Sequence, residues 1–137
     1  LWVSGLTRAQ QLAAALQRER PELGAARVDT RLNEMDFGRW EMQPWAAVPR
    51  AAFDAWMADF AQHRFGGEES TQQVIERVAS LIVELHGAGV REAAWVTHAG
   101  VIRAAQYLKA HGPREIASAS EWPREAPAQG DWMELVF

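Results

Sequence analysis

Residues Ala93–Ala105 read Ala-Ala-Trp-Val-Thr-His-Ala-Gly-Val-Ile-Arg-Ala-Ala, and no other stretch constrains the fold as tightly. The apolar run Ala93–Val96 breaks at Thr97–Gly100, and apolar residues then return at helical spacing as far as Leu108. That pattern predicts a buried strand, a tight turn and the start of a helix. It puts His98 at the carboxyl end of a strand, in front of a helix N-terminus. Open α/β sheets bind ligands at such places, and the free N–H groups and dipole of the helix attract anions there. Taken alone, the stretch leaves two readings open: His98 caps the helix or fills the turn, or it contacts a ligand.

A second unit of the same kind opens the chain. Leu1-Trp2-Val3 is a short apolar run, Ser4-Gly5 a break, and Leu6–Arg18 a run of helix formers with Ala9, Leu12, Ala13 and Leu16 on one stripe. Arg8 falls in the first turn of that helix, where the dipole disfavours a cation. It is either a solvent-facing arginine that tolerates the penalty or one aimed across the turn at an anion.

Between the two units, Ala26–Val28 reads as a further short strand, and Asp29–Arg39 as an ordered surface loop carrying Glu34 and Asp36. Ala51–Gln62 reads as a helix with Phe53, Trp56, Met57 and Phe60 on one face, either core, the safer reading, or the wall of a cleft. Ser70 followed by Gln73 is a capping-box pattern, and it opens a helix from Thr71 to about His86. After Leu108 the sequence His111-Gly112-Pro113 stops the last long helix. A short helix is expected near Arg114–Ala117, and a final strand over Asp131–Phe137. The order of elements predicts one α/β domain over residues 1–137, with a mostly parallel sheet. So few strong strands make the sheet look incomplete. The expectation is that a first strand is missing and that sequence precedes Leu1.

Composition narrows the function classes. The 137 residues are 48% hydrophobic and 23% charged, in the ordinary globular range. The net charge is −4 with no block of Lys or Arg, which argues against nucleic acid or an anionic membrane surface as partner. The absence of cysteine rules out disulfides, thiolate metal sites and a cysteine nucleophile, and is compatible with a cytoplasmic protein. The four histidines show no metal-ligand spacing, so no metal is expected. The sequence has no G-x-S-x-G elbow, no P-loop and no G-x-G-x-x-G. What remains is Arg8 and His98 at strand ends on one edge of a sheet, suited to a phosphate or carboxylate, with loop carboxylates for proton transfer.

Four segments then resemble one family in order. Ser4–Gln11 resembles the "S-x-L-x-R-A-x-Q-T" segment of the histidine phosphatase superfamily, the phosphoglycerate mutase-like proteins. Arg31–Glu41 is similar to its "R-L-x-E-x-x-F-G-x-W-E-G" loop. Gly67-Glu68-Glu69-Ser70 resembles "G-G-E-S", and Thr97–Arg103 resembles "T-H-G-G-x-I-R". The Met-Asp-Phe-Gly-x-Trp-Glu form leans towards the α-ribazole phosphatase branch. The resemblance implies a three-layer α/β/α sandwich and hydrolysis of a small phosphomonoester through a phosphohistidine, with no cofactor. Arg8, His98 and Ala99 would bind the phosphoryl group, and His98 would also stabilise charge in the transition state. Glu34 would protonate the leaving oxygen, and Glu69 and Ser70 would lie at the substrate mouth. The implied partner is a small phosphorylated substrate or inorganic phosphate, and a homodimer is compatible with it.

The family's nucleophilic histidine belongs to an R-H-G or R-H-A motif, and no R-H dipeptide occurs here. Two expectations follow: a phosphatase whose nucleophile lies upstream of Leu1, or a non-catalytic anion-binding remnant of the same fold. A mutase is a third and weaker expectation, since phosphoglycerate mutases of the family usually carry longer insertions around the active site and this chain is compact. Met42 replaces the usual Gly of "W-E-G" and is expected to narrow the adjacent cleft.

Overall fold

A computed structural model describes residues 1–137. Strands β1 (Trp2–Val3), β2 (Arg27–Val28) and β3 (Trp95–Val96) form a parallel sheet in the order β2-β1-β3. Trp2 lies opposite Arg27 and Trp95, and Val3 opposite Val28 and Val96. Successive side chains of a strand point to opposite faces, and the two faces are covered differently. Val3 and Val96 pack against Ala9 and Ala13 of helix α1 (Thr7–Glu19). The two alanines let that helix lie close to the sheet. Trp2 and Trp95 turn the other way, onto the main core.

The main core is built by helices α3 (Thr71–Gly87) and α4 (Ala99–His111), which pack on each other through Val74, Val78, Leu81, Val101, Ala104 and Leu108. The result is three layers, with α1 on one side of the sheet and the α3–α4 pair on the other. A parallel sheet needs both faces covered, and this arrangement supplies it. The start of α3 is fixed by the expected capping box: Gln73 N–H donates to Ser70 Oγ at 3.3 Å, and Ser70 N–H donates to Gln73 Oε1 at 2.9 Å.

Helix α2 (Arg50–Ala58) stops four residues short of the expected Gln62. Asp59 leaves the helical conformation, and its carbonyl and side chain accept from His63 and Gln62 N–H in a turn. The turn carries Phe60 and Ala61 into the core, while Met57 stays exposed. Phe65, with no exposed surface, is the hub of an aromatic cluster with Phe37, Trp40, Trp45, Phe53 and Trp56 at ring separations of 4.6–6.2 Å. Two glycines with left-handed backbone permit this closure. A Cβ on Gly66 (φ 93°) would overlap the Phe37 carbonyl, and one on Gly38 (φ 50°) would strike Gly66.

Two expectations about the C-terminal region are corrected. No helix forms at Arg114–Ala117; the helical turn lies at Ala119–Glu121, where Glu121 accepts from Ala117 N–H and pairs with Arg114. Residues 131–137 form no strand. Only Leu135 reaches the main core, while Trp132 and Val136 are 79% and 68% exposed. Alternating hydrophobicity describes the faces of a segment, but a strand also requires a neighbouring edge for its backbone groups.

Candidate active site

The junctions after β1 and β3 lie side by side, because their strands are neighbours in parallel register. His98 occupies the N-cap position of α4 in extended conformation, yet its side chain makes no capping bond. The imidazole instead reaches across to β1, where Nε2 lies 2.8 Å from Ser4 Oγ. The capping reading of His98 is therefore replaced by a contact between the two strand ends.

Ser4 is completely buried and every contact of its hydroxyl is assigned. Leu6 N–H donates to Ser4 Oγ at 3.2 Å, and Ser4 Oγ–H donates to Asn33 Oδ1 at 3.0 Å. Gly5 N–H also donates to Asn33 Oδ1, at 2.7 Å, which fixes that amide atom as the oxygen. Since the Ser4 proton goes to Asn33, the contact with His98 is satisfied when Nε2–H donates to Ser4 Oγ. The neutral ring then has its open lone pair on Nδ1. Burial, reinforced by the positive charges of Arg8 and Arg77, pushes the His98 pKa down to about 4. The imidazole is neutral at pH 7 and faces a cationic surrounding.

Arg8 is exposed in the first turn of α1 and belongs to none of the six ion pairs. An unpaired guanidinium close enough to depress His98 is suited to an anion. Glu34 completes the arrangement from the loop after β2. Its Oε1 accepts from Met35 N–H at 3.0 Å and from Gly100 N–H at 3.1 Å, and its Oε2 contacts the same Gly100 N–H at 3.3 Å. Gly100 is required for this contact, because a Cβ there would overlap Glu34 Oε1. Thr97 secures the same loop by donating its hydroxyl to the Leu32 carbonyl at 2.8 Å. Ala99 stands between His98 and Gly100 in the first turn of α4 and lines a cavity beside Glu34.

The family model for the histidine phosphatase superfamily (branch 1) matches residues 1–124. The chain belongs to the histidine phosphatase superfamily. No curated protein and no solved structure matches it. Membership places the chain among phosphatases and mutases, and the α/β fold agrees with it. No group of three His, Asp or Glu side chains in this superfamily member is placed to hold a metal, and no helix is long and apolar enough to cross a membrane.

The remaining motif residues divide by position. Glu69 is half-buried, receives the Nε–H of Arg77 at 2.7 Å, and accepts from Asp36 N–H at 3.1 Å. It thus ties the loop before α3 to the loop that carries Glu34. Ser70 is buried, with both backbone and hydroxyl engaged in the capping box. Neither residue lines the cavity beside Glu34; Thr71 does. Met42 is 98% exposed with φ 60°, so its side chain points into solvent and leaves the cleft width unchanged.

Four contributors were not legible in the sequence. Ser4 and Asn33 belong to segments that resemble the family motifs, but only the paired strand ends show that they orient His98. Arg77 lies on the flank of an apolar helix stripe, eight residues from the carboxylate it holds. Arg103 is the last position of the segment that resembles "T-H-G-G-x-I-R", but on a helix it looks like an ordinary surface cation, and only the folded chain shows that it lines the cavity.

Proposed function

We propose that the chain carries the phosphoryl-binding and proton-transfer groups of a phosphatase that hydrolyses a small phosphomonoester through a phosphohistidine. The observation that supports this is the convergence of an unpaired Arg8, a neutral His98 oriented by Ser4, and a Glu34 carboxylate held over the first turn of α4. Arg8 and His98 bind the phosphoryl oxygens. A dianion beside His98 favours its protonated form, so Nδ1 gains a proton and becomes a second charged donor. Both donors strengthen as charge builds on the phosphoryl oxygens in the transition state. Attack on phosphorus by the imidazole of a nucleophilic histidine distinct from His98 breaks the bond to the leaving oxygen, which takes a proton from Glu34. Water then attacks phosphorus, Glu34 recovers the proton, and phosphate and the free imidazole result. The Glu34 Oε2, held by the longer contact, is the oxygen best placed for these transfers. A substrate of the α-ribazole phosphate type fits the Met-Asp-Phe-Gly-x-Trp-Glu variant of the loop.

One observation favours a second reading. His86 and His111 lie in the last turns of α3 and α4. A 13-residue helix spans about 20 Å, so His111 is far from His98. His63 lies in the loop after α2. None of the three is at the site to act as nucleophile. A non-catalytic module that binds phosphate would have the same pocket. Titration of the 137-residue chain with orthovanadate tests what both readings share: Arg8→Gln and His98→Asn should each weaken binding by about tenfold or more, the loss of a charge-assisted hydrogen bond. Unchanged affinity in both would sink the site. Incubation of the gene product with a phosphodonor, followed by mass spectrometry for phosphohistidine, separates phosphatase from module.

A further inference from the structure

The cavity that Glu34 and Gly100 share with the proposed phosphoryl site has a volume of about 310 Å³. His98 and Arg8 do not line it. Glu34 lines the cavity and also holds Gly100 N–H, in the first turn of the helix that His98 opens. In the proposed reaction the oxygen that Glu34 protonates belongs to the leaving group, so the cavity that Glu34 lines is where that group resides.

The walls are Phe37, Trp45, Trp56 and Trp122, with Arg103 at one side. Phe37 and Trp45 meet edge to face at 5.3 Å. Trp56 donates its Nε1–H to Thr71 Oγ1 at 3.1 Å, so its polar edge is satisfied and its ring presents apolar surface. Trp45 keeps 55% of its surface exposed. A second, shallower cavity of about 350 Å³ shares Trp56, Arg103 and Trp122 with the first and ends at Arg124. Arg103 donates to the Arg124 carbonyl at 3.4 Å, and neither arginine belongs to any of the six ion pairs. The two cavities form one groove, with an acid at one end, aromatic walls, and two unpaired guanidinium groups at the other.

We infer, resting on the phosphatase reading, that the preferred substrates are phosphomonoesters whose leaving group carries a planar aromatic ring, with an acceptor or anionic substituent directed to Arg103. A polyol leaving group would lose its water here and find few partners, since the walls offer almost no donors or acceptors. A flat ring packs against Trp45 and Trp122, since the faces of Trp56 are stacked on Phe60 and Phe65, and it buries apolar surface without stripping polar groups of water. Arg103 becomes a specificity-determining residue, acting as a charged donor to a substituent or as a cation over the ring.

Calorimetric titration of the full chain with inorganic phosphate, ethyl phosphate, 1-naphthyl phosphate and 1-naphthyl phosphate bearing a ring carboxylate tests the inference. The naphthyl ester should bind about tenfold or more tightly than the ethyl ester, the scale expected from ring burial and stacking. Trp122→Ala should bring the two within about threefold of each other. Trp45→Ala, at a half-exposed position that tolerates truncation, should reduce the same ratio. Arg103→Gln should abolish any gain from the carboxylate. Equal affinity for the ethyl and naphthyl esters in a chain that binds phosphate overturns the aromatic subsite and leaves the phosphoryl site standing. Failure to bind any of the four overturns the phosphoryl site and this inference with it.

Discussion

His98 Nε2 and Ser4 Oγ lie 2.8 Å apart, and this contact joins the carboxyl ends of two neighbouring parallel strands. It also decides which ring nitrogen is open. Gly5 N–H fixes the Asn33 oxygen, the Asn33 oxygen takes the Ser4 proton, and the Ser4 oxygen takes the proton on Nε2. The buried Ser4 hydroxyl at the centre of this network has all its positions filled, which specifies one arrangement, and the ring nitrogen left open is Nδ1.

Truncation of Ser4 tests the relay. Ser4→Ala leaves Leu6 N–H and His98 Nε2 without their partner, takes one of its two donors from Asn33 Oδ1, and should destabilise the fold by about 1–3 kcal/mol. Asn33→Asp keeps an acceptor in place but adds a negative charge two hydrogen bonds from the ring. That charge should raise the His98 pKa above its value of about 4. NMR titration of the imidazole protons reads this directly. A pKa that stays at about 4 in Asn33→Asp would mean that Asn33 only packs.

The strand–turn–helix units around His98 and Arg8 were legible because each combines a short apolar run, a break and a helical period. The capping box at Ser70 was legible because its chemistry is local. The C-terminal strand was misread because alternation over Asp131–Phe137 carries no information about a free sheet edge. Met42 was misread because a motif position says nothing about the direction of the side chain, which backbone φ sets. The Ser4–Asn33–His98 relay spans 94 residues of sequence, and only the register of β1 against β3 brings its ends together. Ser70 shows the converse: the same residue fits a motif and a helix cap, and its burial places it in the cap.

The approach of Gly100 to Glu34 makes a stability cycle informative. Gly100→Ala places a methyl group onto Glu34 Oε1 and should cost about 1–3 kcal/mol through displacement of the carboxylate. In a Glu34→Ala background the obstruction is gone. Alanine is then the better helix former by about 1 kcal/mol, so the same substitution should be neutral or stabilising. Chemical denaturation of the four proteins measures the coupling. Additive effects would show that Gly100 and Glu34 are not held together in solution.

Met42 offers a stabilising change away from the site. A non-glycine residue in the left-handed region costs roughly 1–2 kcal/mol, while glycine adds entropy to the unfolded chain. Met42, at φ 60° and 98% exposed, gives up no packing when truncated. Met42→Gly should therefore stabilise by about 0.5–1 kcal/mol, a rise in Tm of a few degrees. Vanadate affinity should not change, because the side chain is directed away from the cleft. A lower Tm in thermal unfolding would contradict the conformational argument.

The depressed pKa of His98 carries a signed prediction for pH. Its ordinary value is 6.5, and burial with Arg8 and Arg77 nearby lowers it to about 4 in the folded chain. Between those values the unfolded chain holds a proton that the folded chain does not, so this contribution to stability is complete above pH 6.5 and is lost as pH falls to about 4. His98→Asn should flatten that limb of the stability profile. An anion bound between Arg8 and His98 favours the imidazolium, so binding at pH 6 should draw in up to about one proton. Calorimetry in two buffers of different ionisation enthalpy counts that proton. Uptake that disappears in His98→Asn assigns it to the ring, whereas equal uptake in both proteins would place the anion away from His98.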